Sequence, residues 1–383
     1  MSNDVQASKE ISLLTRLRSQ TSNLLAAAVD DDRSEGFPDH AFRIISQAGC
    51  LEAVLPPQRQ GVGLGWAANS NKLLFALLRA IGGVHLSAAR LFEGHVNAFQ
   101  LLWTYGDASQ RDALCAYVEE GELLGVWNAP SPDGDMLLID SDRGFLLQGT
   151  KAYASGAGNI SRPLVTARHP SRGLLMIWPN TAYTVGPASE WSMHGMRSSY
   201  TRSVNFDCLV ERGSVFGEAD DYHRQPDFSG GAWRFLAAQL GAGEALAEMM
   251  RTHLLLRGRS HDTHQRARMA QCDIVIETAR KWILDSMQRV STTGASVEMV
   301  VQHANAARLV VERSLLDVME LVHRGVGLQS FSRDSPFERV SRDLATYLRQ
   351  PAPDSLVESI GARAFLMLRQ GLLGGLFDEE QLG

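Results

Sequence analysis

The sequence has little of what would take it out of an ordinary reducing, aqueous compartment. Its four cysteines, Cys50, Cys115, Cys208 and Cys272, lie far apart and form no CxxC pair. That spacing argues against a disulfide framework and against a cysteine metal site, so they read as free thiols in a reducing cytoplasm. No apolar run approaches the roughly 20 residues needed to span a membrane. The opening residues, MSNDVQASKE, carry no secretory apolar stretch. Positive charge is also short: 37 Lys and Arg against 43 Asp and Glu give a net charge of −6, the wrong balance for a nucleic-acid partner. There is no internal repeat and no low-complexity tract. No metal, nucleic-acid or membrane partner is expected. What remains is 44% hydrophobic and 21% charged residues over 383 positions, the composition of a folded globular chain with length for two or three domains.

The patterning divides the chain into three stretches: 1–120, 121–228 and 229–383. In the first, apolar residues recur at helical spacing, as at Ile11, Leu14, Leu17, Leu24 and Leu25. Pro38 suits the first turn of a helix over Asp39 to Ala48. Further helices are expected over Ala67 to Ile81, Leu86 to Tyr105 and Ser109 to Glu119, with Gly106 as a C-cap. From Gly121 the segments become short and alternating, broken by Gly, Pro, Asp and Asn. Strands are expected at Leu123–Trp127, Met136–Asp140, Gly144–Leu147, Leu164–Ala167, Leu174–Trp178, Ala182–Val185 and Ser203–Leu209. From about Phe228 long helices return, over Ala232–Leu256, Gln265–Val290, Val297–Val322 and Ser355–Leu373. Short connections between them suggest a four-helix bundle.

Within the β stretch, Gly144–Gly158 (GFLLQGTKAYASGAG) reads as a strand, a Gly149-Thr150 turn and a second run ending in Ser155 and glycines. Its plain reading is a hairpin. Its other reading is a flat ledge on which a planar ligand could lie, with Ser155 as a hydrogen-bonding group.

The order helical domain, small β domain, four-helix bundle resembles the acyl-CoA dehydrogenase superfamily of flavoproteins. Local stretches agree in order and rough spacing. Phe37-Pro38 through Val54-Leu55-Pro56 and Gly61–Gly65 looks like the family's N-terminal "FP…L…G…VP…GG.G" segment. Gly106 with Gln110-Arg111 looks like its "G…qk" turn, and Gly149–Gly156 looks like "GxKxWITN" or "GxKxxxSG". His194-Gly195-Met196-Arg197-Ser198-Ser199 through Phe206 looks like "GmRgs…v.F", and Glu338-Arg339 with Arg342-Asp343 looks like "E+…RD". The resemblance implies a mainly α fold with a central β barrel or sandwich, and FAD as cofactor, with FMN or reduced flavin as a co-substrate in its place. It puts Tyr153 against the flavin ring, Ser155 near N5 with Ala154 between them, and Asn128 at the pyrimidine side with Trp127 before it. Arg257 and Gln265 match the segment by which a neighbouring subunit closes the family's FAD site, although Gly258-Arg259-Ser260-His261 lacks its Phe-Gly. Gly325 and Gly327 match a glycine turn near the adenine end. The resemblance therefore also implies a homodimer or homotetramer.

The chemistry departs from the common member of that family. A dehydrogenase removes a proton α to a thioester carbonyl with a glutamate base. The usual glutamate position falls on or near Pro351, and the alternative one falls on Trp233. Asp354 is the nearest carboxylate in sequence. A related branch of the family uses reduced flavin from a partner reductase together with oxygen, and needs no such base. Its members often keep the Ser-Gly pair, here Ser155-Gly156, and a histidine facing the flavin, for which His95 is the candidate beside its plain reading as a helix-core residue. Three readings follow: an oxidoreductase acting on the CH–CH group of an acyl thioester or related substrate, with an electron-transfer partner; a flavin monooxygenase supplied by a flavin reductase; and a scaffold of the same fold without redox activity. Arg197 and the Arg342-Asp343 pair also admit plain readings as structural ion pairs.

Overall fold

The computed structural model describes residues 3–333 and 335–369. The chain forms two compact units, parted in sequence between His223 and Arg224.

The first unit opens with helices α1 (Asn3–Ser19), α2 (Thr21–Ser34), α3 (Asp39–Gln47), α4 (Asn71–Gly82), α5 (Leu86–Tyr105) and α6 (Ala108–Glu119). Pro38 stands one residue before α3, as its N-cap. Helix α5 is apolar nearly all round and buried along most of its length, as expected of a helix enclosed in a core rather than lying on a surface. Helix α6 starts in a capping box, in which Asp107 accepts from the Gln110 N–H at 2.8 Å and Gln110 accepts from the Asp107 N–H at 2.9 Å. The Gln110 amide also donates to the carbonyls of Gly213 and Val215, at 2.9 and 2.8 Å, and so ties the helix to the β region.

The strands are β1 (Val126–Trp127), β2 (Leu137–Ser141), β3 (Gly144–Ala154), β4 (Leu164–His169), β5 (Gly173–Ile177), β6 (Thr184–Val185), β7 (Arg202–Val210) and β8 (Val215–Phe216). They form one mixed sheet in the order β6-β7-β3-β2-β4-β5-β8, with β1 paired to β4. The pairs β1–β4 and β2–β4 are parallel and the others antiparallel. No separate barrel or sandwich emerges from these pairings.

One expectation is overturned here. Gly149-Thr150 does not turn the chain: β3 runs unbroken past it, with Gly149 opposite Phe206 and Thr150 opposite Asn205. The glycine serves close approach instead. A Cβ at Gly149 would lie 3.0 Å from the Met136 Cα, and its φ of +128° is one that side chains avoid. The turn comes earlier, at Asp142-Arg143 between β2 and β3.

The second unit holds a short turn α7 (Asp227–Gly230) and helices α8 (Trp233–Leu256), α9 (Thr263–Val290), α10 (Val297–Val326), α11 (Pro336–Tyr347) and α12 (Pro353–Arg369). Helices α8, α9 and α10 pack on one another, with α11 on α8 and α12 on α10. Gly243 permits the α8–α10 approach, since a Cβ there would overlap the buried Leu315 side chain. Helix α11 is an addition to the four long helices expected. The expected helix end at Leu373 lies outside the described residues.

Candidate functional site

The ends of β1 and β3 meet in the first unit. The Ala152 N–H donates to the Ala129 carbonyl at 3.0 Å, and Pro130 bridges to Lys151. Trp127 Nε1–H donates to the Ser155 carbonyl at 2.9 Å. Trp127, Asn128, Tyr153, Ala154 and Ser155 are thereby brought together, and they divide into two layers. Trp127 and Ala154 are buried. Trp127 packs edge-on against Tyr183, with ring centroids 5.3 Å apart. Both side chains are enclosed within the fold. Tyr153 is the reverse: the residue is 65% exposed, a large aromatic left uncovered on the sheet.

The backbone explains that exposure. The β3–β7 register shifts between Lys151 and Ala154, and Tyr153 sits in the bulge at φ +53°. An L-residue other than Gly, Asn or Asp rarely takes this left-handed conformation, and a bulge re-aims the side chain it carries. Strain held at a bulge beside an exposed ring is a mark of a binding ledge.

Beneath the ledge Lys151 is buried. Its Nζ donates to the Asn128 carbonyl and to Thr166 Oγ1, both at 3.1 Å. The Thr166 hydroxyl donates in turn to Asn128 Oδ1. Burial pushes the Lys151 ammonium down to about 8, against the pull of the Asp135 carboxylate. The network fixes the Asn128 amide by its oxygen. Among the described residues Asn128 Nδ2 has no hydrogen-bond partner, so its two donors remain available to a ligand. Sequence reading missed Thr166; a hydroxyl on a buried strand beside a buried lysine was the available signal.

Ser155 is half-buried, and its hydroxyl lies 3.0 Å from Thr201 Oγ1. The following Gly156 donates its N–H to the Ser199 carbonyl at 3.0 Å. At Gly156 φ is +75° and a Cβ would come within 2.8 Å of Ile160. Glycine is therefore required where the Ser-Gly pair closes the ledge.

His95 is a correction. It is fully buried, with Nε2 donating to the Leu51 carbonyl at 3.1 Å and Nδ1 accepting from the Leu124 N–H at 3.1 Å. Desolvation holds it down to about 4, so it stays neutral at ordinary pH. Both nitrogens are bonded within the fold, as in its plain reading as a helix-core residue. Arg197 lies 3.4 Å from Glu35 and donates to the His194 carbonyl. Arg342, buried on α11, pairs with Glu338 at 2.8 Å and lies 3.5 Å from Asp343. Both arginines thus make the ion pairs of their plain readings.

In the second unit, Gln265 and Gly325 are adjacent. Gln265 is buried and its Nε2 donates to the Gly325 carbonyl at 3.3 Å, while its Oε1 is buried without a partner. A Cβ at Gly325 would overlap Met250. Gly327 ends α10 at φ +80°. Arg257, at the end of α8, donates to Gln329 at 3.3 Å. Trp233 is buried at the start of α8. Pro351 is exposed, and its carbonyl accepts from Arg308 at 2.8 Å. Asp354 is exposed in the first turn of α12. No group of three or more potential metal-ligating side chains occurs among the described residues, and among them no helix is long and apolar enough to cross a membrane.

No protein-family model matches the chain. Curated relatives do. An acryloyl-CoA reductase (NADH) of Anaerotignum propionicum is 22% identical, covering 89% of this chain and 90% of its own length. The amino sugar nitrososynthase DnmZ of Streptomyces peucetius is 25% identical over 87% of each. Among solved structures, KijD3 in complex with FMN and a dTDP-amino-keto sugar superposes with a TM-score of 0.81 at 19% identity, covering 96% of this chain and 95% of its own. FMN-bound TdsC, a dibenzothiophene monooxygenase of Paenibacillus sp. A11-2, gives 0.80 at 17%, covering 96% and 100%. The chain thus has the acyl-CoA dehydrogenase-like fold, and the likeness runs to its flavin-monooxygenase branch.

Proposed function

We propose that the chain is a flavin-dependent monooxygenase that uses reduced FMN, delivered by a separate reductase, to oxygenate a small molecule at nitrogen or sulfur. The observation that carries this reading is the lack of a carboxylate where the resemblance assigns a base, on or near Pro351 and at Trp233. Trp233 and Pro351 can take no proton from carbon, and oxygen transfer to a heteroatom needs none taken. The ledge fits a flavin by its donor set: an uncovered Tyr153 ring, the Asn128 Nδ2 donors without a protein partner, and the Ser155 hydroxyl at its rim. In its reduced state the flavin supplies two electrons and two hydrogens to O2, so that one oxygen atom enters the substrate and the other leaves as water.

The chain's own share of that chemistry is to bind and orient. Tyr153 offers a face for stacking. Asn128, locked by Thr166 and Lys151, donates to a ring carbonyl or nitrogen. Ser155 offers a hydroxyl to the ring's central edge, and Trp127 fixes the backbone that carries it. The nitrososynthase relative and the dibenzothiophene monooxygenase TdsC act on nitrogen- and sulfur-bearing molecules by their names, which supports the substrate class. FMN is bound in both structural neighbours. A homo-oligomer in the cytoplasm belongs to the same proposal.

A second reading, an acyl-CoA oxidoreductase, is favoured by the acryloyl-CoA reductase relative. One experiment separates the two. The purified protein is loaded with oxidised flavin and mixed with acyl-CoA under anaerobic conditions, and the visible band is followed. Under the monooxygenase reading the band persists, and oxygen-dependent product forms from an amino sugar or a thiophene when reduced FMN is supplied. Bleaching by acyl-CoA would sink it in favour of the second reading.

A further inference from the structure

Three hydroxyls stand in a row behind the ledge. Ser155 Oγ lies 3.0 Å from Thr201 Oγ1, which lies 2.7 Å from Ser199 Oγ, and in both pairs either oxygen can be the donor. Thr201 and Ser199 are buried. The loop that brings them there is held under strain: Met196 and Tyr200 are left-handed at φ +57° and +50°, close in sequence to Ser199 and Thr201, and Tyr153 is left-handed on the facing strand. The Gly156 N–H, bonded to the Ser199 carbonyl, fixes the near end.

We infer that Ser155, Thr201 and Ser199 form a reversible hydrogen-bond chain that follows the redox state of the flavin, with Thr201 and Ser199 as its positioning residues. This rests on the flavin reading above. Oxidised flavin presents a bare nitrogen, an acceptor, at N5. Two-electron reduction adds a hydrogen there and makes it a donor. A backbone N–H suits only the first form. A lone buried hydroxyl can turn to accept, but its own proton then needs somewhere to go. Here it has a place. Facing an acceptor, Ser155 donates outward and accepts from Thr201. Facing a donor, Ser155 turns its proton to Thr201, and Thr201 turns its own to Ser199, whose proton at the end of the row is then the one left to be placed. Each hydroxyl rotates about its C–O bond, no proton leaves its oxygen, and the electrons and the N5 hydrogen come from the flavin's reductant.

The test is Thr201→Val, which keeps the shape and removes the hydroxyl. Dissociation constants for oxidised and reduced FMN are measured for both proteins, the latter under anaerobic conditions. Thr201→Val is expected to raise the reduced-to-oxidised ratio about tenfold, a fall of about 30 mV in the bound flavin's two-electron potential. Thr201→Ser restores the ratio, Ser199→Ala shifts it in the same direction by less, and in a Ser155→Ala background Thr201→Val no longer matters. Equal weakening of both redox forms, or an unchanged ratio in Thr201→Val and Ser199→Ala, overturns the chain while leaving the flavin site standing. Failure of the unaltered protein to bind either form overturns the site and the chain together.

Discussion

A lysine ammonium shut away from water carries a desolvation cost that shows in how stability depends on pH. Lys151 has two neutral oxygens for partners, Asn128 O and Thr166 Oγ1, and burial brings it down to about 8. In the unfolded chain it titrates at the ordinary lysine value near 10.4. Because the folded value is the lower, the unfolded state binds the extra proton between about pH 8 and 10.4, and stability contributed at this site rises with pH across that window. Below it the full cost of burying the charge is present. Lys151→Met removes the titration. The stability difference between the two proteins is expected to move in the wild type's favour by up to roughly 3 kcal/mol from pH 7.5 to 10, read from urea midpoints at each pH. A constant difference would mean that Lys151 is not desolvated as the structure has it. The same substitution releases the Asn128 carbonyl, so flavin affinity should fall alongside.

Strand β3 shows how an element spends stability on a site. Its first part, Gly144–Lys151, pairs regularly with β7, and the register slips only where Tyr153 is turned outward. Tyr153→Gly keeps the left-handed backbone without its steric cost and loses a ring that is mostly in water anyway. The variant is expected to be as stable as the parent or up to about 1 kcal/mol more stable, while FMN affinity falls about tenfold for want of a stacking face. Urea titration and flavin fluorescence quenching read the two effects separately; a variant that loses stability and keeps its flavin would contradict the ledge. Much at this scale was legible in the sequence. The spans of α5, α8 and α10 were expected to within a few residues, α5 with Gly106 as its C-cap. The grouping of Asn128 with Tyr153 and Ser155 followed from motif resemblance. The unbroken run of β3 past Gly149 did not, because Gly-Thr signals a turn locally and only the close passage of Met136 shows why glycine stands there. His95 was misread for a similar reason: helical position is visible in sequence, but its partners Leu51 and Leu124 are 44 and 29 residues away. Helix α11 escaped although Phe337, Val340, Leu344 and Tyr347 recur at helical spacing on its buried face, because Arg339, Arg342 and Asp343 are buried among them and interrupt the apolar stripe.

At the scale of the whole chain, the question is how much of a flavin nucleotide the protein can hold. The ring ledge lies in the first unit. The residues that resemble an adenine-end site lie in the second, and there Gln265 Nε2 and Arg257 bond within the fold, while Gln265 Oε1 is buried without a partner. Gln265 is turned into its own unit by the bond to Gly325, and Arg257 is bonded to Gln329. Gly325 leaves room for Met250 rather than for a nucleotide, since a single added carbon would collide with that side chain. An adenylate half then adds size but no net charge, since the FMN monoester and the FAD diester each carry about two negative charges near neutral pH, and binding energy grows only with contacts that are made. FMN and FAD are therefore expected to bind with dissociation constants within about threefold of each other, where a dedicated adenine site worth even 3 kcal/mol would favour FAD more than a hundredfold. Gln265→Leu should leave that ratio unchanged, because its amide holds α9 to α10 and not the cofactor. Isothermal titration with each nucleotide against both proteins checks this, and a preference for FAD above about tenfold that Gln265→Leu abolishes would restore the adenine site that the sequence resemblance implies.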